Sequence, residues 1–268
     1  MLKKCAKIWD EVRIKTPLVH CITNYVSVND VANAILAGGA SPAMVENPGE
    51  SGEFARLAGA LYLNLGTLTQ EQEQAMLEAA KAAGEEGVPV VIDPVACGVI
   101  PRKNHVLTRI EKLSAIACIK GNKAEIKSLA GIKAFARGVD SVDCGEGLKD
   151  ACRTLALNKQ TVVAATGAVD VVADASRLVL IKNGTGLYAL ITGAGCMAGG
   201  VMAACIAANP DQKWLAAVTG LLAFNIAGER AAIRSGHNPG TFRSLLCDQL
   251  HALSGADIAA QAKLEWLT

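Results

Sequence analysis

Short runs that are apolar on both faces recur along this chain between longer helical patterns, and that alternation limits the folds open to it. Residues 18–22 and 60–65 read as strands. Residues 89–93 form a continuous apolar run ending in an acid, and 114–119 and 161–165 repeat the form. Between them, 28–37 reads as a helix, and 69–86 as an Ala/Glu/Gln-rich helix stopped by Gly87 and Pro89. A strand with no polar face has no side to show water, so helices must cover both sides of the sheet. The alternation therefore predicts an α/β fold with a mainly parallel central sheet. After residue 160 the rhythm changes. Residues 169–173 and 177–182 flank Asp174-Ala175-Ser176 and predict an antiparallel edge hairpin, followed by helices near 196–208, 212–234 and 241–263.

No linker, charge block or repeat divides the 268 residues, so a single domain over 1–268 is expected. Lys plus Arg is 26 against 25 for Asp plus Glu, which argues against gripping nucleic acid or anionic membranes. Aromatic residues make up only 4%, so base-stacking platforms are not expected either. The nine cysteines are odd in number and include no CxxC pair. They point to small buried hydrophobes in a reducing cytoplasm rather than to a zinc site or disulfide framework. Lys182 and Asp211 bound a stretch without charge, but its many glycines predict a strand, a glycine turn and a buried helix, not a membrane span.

In open α/β sheets, ligands bind beyond the carboxyl ends of the strands. Asp93 ends one apolar run, where its carboxylate could meet a hard cation carrying phosphates; it could equally cap a turn. Lys120 follows the next run and could face a polyphosphate as a point charge. Asn122 and Glu125 have the spacing of a capping box, while a functional reading sets Glu125 near Asp93, sharing a metal-bound water. Thr166 closes a strand before Gly167, either as an ordinary turn or as a hydroxyl donor to a nucleotide phosphate. Ile191-Thr192-Gly193-Ala194-Gly195-Cys196-Met197 is the most informative stretch. Glycines let the backbone approach a ligand, and the helix that follows aims free N–H groups at the turn, an anion hole for a transferring phosphoryl group. Cys196 sits at that helix start, as a reactive thiol or as a small residue packed under the turn. The same glycines make a loose dinucleotide fingerprint, but no strand ending in an acid follows at the right distance, and no GxxxxGK[ST] occurs.

Assembled in order, these pieces resemble the hydroxyethylthiazole kinase family over roughly residues 15 to 235. The resemblance is carried by Pro17-Leu18-Val19-His20-Cys21-Ile22-Thr23-Asn24-Tyr25-Val26, Gly39-Ala40-Ser41-Pro42-Ala43-Met44 and Leu63-Asn64-Leu65-Gly66-Thr67-Leu68. Ile92-Asp93-Pro94-Val95, Gly121-Asn122 with Glu125-Ile126, Gly138-Val139-Asp140-Ser141, Thr166-Gly167 and Thr192-Gly193-Ala194-Gly195-Cys196 complete it. It implies a ribokinase-like three-layer fold. It also implies ATP- and Mg²⁺-dependent phosphorylation of the hydroxyethyl group of 4-methyl-5-(2-hydroxyethyl)thiazole, in thiamine synthesis and salvage. Met44 and the Gly193 backbone would contact the thiazole, Lys120 and Thr166 the ATP, and Asp93 and Glu125 the metal. Cys196 stands where many ribokinase-like relatives carry an aspartate base. A homotrimer with sites between subunits is implied as well.

Four places depart from the family pattern. Lys120 stands for a common Arg; residues 96–100 replace a glycine-rich run; Thr185 stands for a His; and Cys196-Met197-Ala198-Gly199-Gly200 lacks the common hydroxyl residue. Two other readings therefore stand beside the thiazole kinase: a ribokinase-like kinase for another small alcohol, and a non-catalytic thiazole or nucleotide binder.

Overall fold

The computed structural model describes residues 1–132 and 147–267. Nine strands form one sheet: β1 (Leu18–Ile22), β2 (Ser41–Ala43), β3 (Ala60–Asn64), β4 (Val90–Asp93), β5 (Ile116–Asn122), β6 (Val162–Thr166), β7 (Asp170–Ala173), β8 (Leu178–Ile181) and β9 (Leu264–Leu267). Their order is β2-β1-β3-β4-β5-β6-β7-β8-β9. The pairs from β2 to β6 are parallel. Those from β6 to β9 are antiparallel. The expected parallel sheet with an antiparallel edge is thus present. β9 extends that edge by a strand which the sequence pattern did not signal.

The helices are α1 (Leu2–Lys15), α2 (Val28–Gly38), α3 (Pro48–Leu57), α4 (Gln70–Glu86), α5 (Pro101–Leu113), α6 (Lys123–Leu129), α7 (Leu148–Lys159), α8 (Ala194–Ala208), α9 (Lys213–Arg234), α10 (Pro239–Ala252) and α11 (Gly255–Gln261). Side-chain parity along the strands assigns them to two layers, because successive residues of a strand face opposite ways. Tyr62, Val91 and Cys118 join the core beneath α1, α2, α8, α9 and α10. Their neighbours Leu61, Leu63, Val90 and Ile92 join a second core with α4 and α5, and Ile119 a third with α6 and α7. Both faces of the sheet are therefore dry, as the unbroken apolar runs required.

Several boundaries differ from expectation. The run at 114–119 starts and ends later, as Ile116–Asn122, so Lys120 and Asn122 belong to the strand itself. The stretch before the glycine turn is a 3-10 helix over Gly186–Leu190, not a strand. The long helix expected at 241–263 is two, because Leu253 is extended and Ser254 opens α11 with its own capping box. The uncharged stretch resolves into α8, of 15 residues and almost wholly buried. No helix among the described residues is long and apolar enough to cross a membrane. Gly138-Val139-Asp140-Ser141 and Cys144 lie outside the described residues.

Candidate active site at the carboxyl edge

Parity and register together build the site. Asn64 lies opposite Asp93 in the β3–β4 ladder, and Asn122 lies opposite Thr166 in β5–β6. Counting back by twos, Asn64 shares its face with Tyr62, Asp93 with Val91, and Lys120 with Cys118. These side chains all point into the layer that holds α8. Four strands thus deliver polar groups to one edge, on one side.

Lys120 Nζ donates to Asp93 Oδ2 at 2.9 Å, and both side chains are almost fully buried. Burial alone disfavours the ammonium, but the contact with Asp93 outweighs it and holds the Lys120 pKa above its ordinary value. Tyr62 OH also reaches Asp93 Oδ2, at 3.4 Å, and donates to the Cys196 carbonyl at 3.1 Å. Burial first, and the nearby Asp93 and Cys196 next, push the Tyr62 phenol well above its usual range, so it stays a neutral donor. Glu125 closes the capping box of α6 as its spacing predicted: Asn122 N–H donates to Oε2 at 2.7 Å. Its other oxygen does more than cap, since Ala96 N–H donates to Oε1 at 3.0 Å. Burial, and then repulsion from Asp93, raise the Glu125 pKa.

The glycine turn meets this pair. Gly193 is the N-cap of α8 at φ 81°, a left-handed conformation that disfavours side chains. A Cβ on Gly193 would also lie 2.9 Å from the Ser27 Cβ. At Gly195 the bar is steric: a Cβ there would lie 3.0 Å from Lys120 Nζ. The opening N–H groups of α8, which have no intrahelical acceptor, thus lie beside the Lys120–Asp93 pair.

Cys196 differs from the other described cysteines. Six are buried, and only Cys196 and Cys247 are partly accessible. Burial pushes the thiols of Cys97, Cys118 and Cys152 up to about 12. Asn64 Nδ2 donates to Cys196 Sγ at 3.2 Å and Asn24 Nδ2 does so at 3.3 Å. Asn24 Nδ2 donates as well to Asn64 Oδ1, at 2.9 Å. Asn24, Asn64 and Tyr62 were given no role from sequence. One signal pointed to Asn64: a polar residue ending an apolar strand, the form that singled out Asp93.

The remaining candidates are less central. Thr166 ends β6 and donates through Oγ1 to the Gly121 carbonyl at 3.2 Å, next to Lys120. Met44 follows edge strand β2, half-buried against the main core, with β1 and β3 between it and β4. The structure therefore gathers Asp93, Lys120 and the Gly195–Cys196 start of α8 closely, with Gly193 two residues before it against Ser27. Glu125 and Thr166 border them, and Met44 is set apart along the sheet.

Comparison with known proteins shows the family. The model of the hydroxyethylthiazole kinase family matches residues 9–256. A hydroxyethylthiazole kinase of Syntrophomonas wolfei is 61% identical over 266 residues, covering 99% of this chain and 100% of its own. Another, from Desulfitobacterium hafniense, is 50% identical with 100% of both chains covered. The solved structure of the hydroxyethylthiazole kinase protein of Pyrococcus horikoshii superposes with a TM-score of 0.90 at 34% identity, over 99% of this chain and 100% of that one. A ribokinase-like superfamily protein of Enterococcus faecalis shares the fold alone, with a TM-score of 0.62 at 10% identity over 88% of this chain and 86% of that one. The chain belongs to the hydroxyethylthiazole kinase family and has the ribokinase-like fold.

Proposed function

We propose that this enzyme transfers the γ-phosphoryl group of ATP to the hydroxyethyl oxygen of 4-methyl-5-(2-hydroxyethyl)thiazole, serving thiamine synthesis and salvage. One observation carries the reading: within this family's fold, the buried Lys120–Asp93 pair lies against the glycine turn that opens α8. Phosphoryl transfer needs positioning and neutralisation of charge more than covalent chemistry. The alcohol oxygen forms a bond to the γ-phosphorus as the bond to the ADP oxygen breaks, and the hydroxyl proton leaves.

Each residue then has a task. The Gly193–Cys196 amides hold the oxygens of the transferring group. Lys120 offsets phosphate charge, and Thr166 lies at the nucleotide side. Cys196 Sγ, oriented by Asn24 and Asn64, receives or directs the hydroxyl proton. Gly193 and Met44 border the thiazole from two subunits of the homotrimer, since Met44 is set along the sheet from its own chain's Lys120–Asp93 pair.

A divalent cation fits the donor set. Both hydrogen bonds to Asp93 reach Oδ2, leaving its second oxygen for a hard ion. Both Glu125 oxygens accept backbone N–H groups, which suits contact through water. Among the described residues no three His, Cys, Asp or Glu form a metal cluster, which fits an ion completed by phosphate oxygens and water. Asp93 and Glu125 would hold Mg²⁺, which supplies neutralisation of the phosphate charge when bound.

A single cytoplasmic domain and a homotrimer complete the proposal. Exposed Tyr25 and Val26, next to Ser27 beside the glycine turn, offer an apolar surface for a second subunit, to be checked by light scattering. The central test is mass-spectrometric detection of the thiazole phosphate after incubation with ATP and Mg²⁺. A folded enzyme that yields none overturns the assignment.

A further inference from the structure

One buried carboxylate near this edge has no part in the scheme above. Asp170 opens β7 and is 4% exposed. Parity with Val172 turns it toward the α9 layer, the same side as the site. Gly167 N–H donates to its Oδ1 at 2.8 Å, and Asn225 Nδ2, from the middle of α9, donates to its Oδ2 at 2.6 Å. Asn225 is itself 5% exposed. A carboxylate held this way ties a loop to a rigid helix.

The loop it ties is the Thr166–Gly167 turn. In a trans peptide the N–H and C=O point opposite ways, so drawing the Gly167 N–H inward fixes the Thr166 carbonyl outward. The Thr166 hydroxyl anchors the other side through Gly121 O. Lys123 lies across the turn, since a Cβ on Gly167 would fall 2.4 Å from its Cε. The turn is thus held by Asp170 and by Gly121, with the Lys123 stem packed beside it. One helical turn further along α9, Glu229 accepts from Gly184 N–H at 3.0 Å and from Asn183 Nδ2 at 3.1 Å. The same helix therefore steadies the segment leading to the glycine turn.

We propose that Asp170, held by Asn225, is a positioning residue for nucleotide binding: it sets the orientation of the Thr166–Gly167 peptide that the nucleotide meets. This rests on the nucleotide side of the site lying at Lys120 and Thr166. It extends that reading to a pair of residues which touch no substrate. Burial raises the Asp170 pKa to about 6, against the lowering influence of Gly167, Asn225, Lys120 and Lys123. The Tyr188 phenol faces it too and stays neutral. What the turn requires of Asp170 is an acceptor rather than a charge.

The test compares full-length variants by melting temperature, by calorimetric ADP affinity in Mg²⁺ buffer, and by separate KM values for ATP and the thiazole alcohol. Asp170→Ala should raise the ATP KM and weaken ADP about tenfold, the scale of one lost buried hydrogen bond. The alcohol KM should stay within about twofold, because the glycine turn keeps its own supports. Asp170→Asn keeps the acceptor for Gly167, and Asn225 need only turn its amide, so nucleotide binding should recover to within about threefold of wild type. A purely structural role would lower the melting temperature without splitting the two KM values. If Asp170→Ala does not fold, Asn225→Ala carries the test, with an ATP KM raised about threefold and the alcohol KM unchanged. A folded Asp170→Ala, or failing that Asn225→Ala, with unaltered nucleotide binding overturns the proposal. Lys120→Met separates the two levels. Nucleotide binding weakened by Lys120→Met but not by Asp170→Ala sinks only the positioning role. Binding untouched by either sinks the nucleotide site with it.

Discussion

Two ion pairs at opposite ends of the sheet show how far burial changes the meaning of the same chemistry. At the carboxyl end, Lys120 and Asp93 meet at 2.9 Å with side chains 4% and 3% exposed. At the amino end, Arg177 pairs with Asp174 across the β7–β8 turn, the arginine 54% exposed. There Arg177 also lies over the Trp214 ring at 4.4 Å, beside a cavity of about 920 Å³ lined by Lys4, Ile116, Asp174, Arg177 and Trp214. Space is ample at the amino end, but its charges are already solvated, and water screens them. At the carboxyl end the charges are desolvated and face main-chain donors, so a phosphate entering there meets a stronger field. The proposed site is thus set apart by desolvated charge, not by room.

The largest expected effect on turnover breaks that contrast in the chemistry itself. Cys196→Ala should slow turnover about a hundredfold or more with little loss of stability, as for removal of a proton acceptor. Cys196→Asp should retain activity, because the Asn24 and Asn64 amides donate to a carboxylate as readily as to sulfur. Unchanged steady-state rates in the alanine variant would take Cys196 out of the mechanism. Lys120→Met comes next: it leaves Asp93 buried without its partner, at about 3–5 kcal/mol in urea denaturation.

Asp170 gives a pH-dependent version of the same contrast. Its folded pKa of about 6 lies above the ordinary 3.8, so the folded state prefers the protonated form. The fold then binds more protons than the unfolded chain between about pH 4 and 6, and stability falls as pH rises through that window. The loss should reach about 3 kcal/mol by pH 7 relative to Asp170→Asn, whose own profile lacks it; parallel urea curves for the two would refute this. Smaller still is Thr69→Ala, which removes a helix cap and should cost about 1 kcal/mol without touching the ATP KM. Smallest is Arg177→Met at the amino end, worth less than about 1 kcal/mol in the same assay. A larger loss there would erase the distinction between the two ends.

Two capping boxes show how legible the site was. Thr69–Gln72 and Asn122–Glu125 carry the same local pattern, and both caps form. Both closing side chains also reach distant segments, Gln72 to the Thr23 carbonyl and Glu46, but of the two only Glu125 is a carboxylate. Glu125 alone also receives the Ala96 N–H from 29 residues away and lies near Asp93. Asp93, Thr166 and the glycine turn could be read because each ends a strand or opens a helix, and Lys120 because the apolar run stops just before it, positions that local hydrophobic pattern exposes. Asn24, Tyr62, Asn225 and Asp170 could not. Their roles arise from partners 172, 134 and 55 residues distant along the chain. The boundaries missed near 190 and 253 lie where a five-residue 3-10 turn, or a single extended residue, is too short to show a clear period.

Strand–helix alternation, the dryness of both sheet faces and the placing of Asp93, Thr166 and the glycine turn at element ends all follow from the sequence alone. Periods of two and 3.6 residues are properties of neighbouring residues. The folded chain alone could bring β3, β4 and β5 into register, lay the start of α8 over the Lys120–Asp93 pair and bring two asparagine amides to one sulfur. Those contacts join segments far apart in the chain, and their geometry is set by packing between layers, which no local pattern encodes.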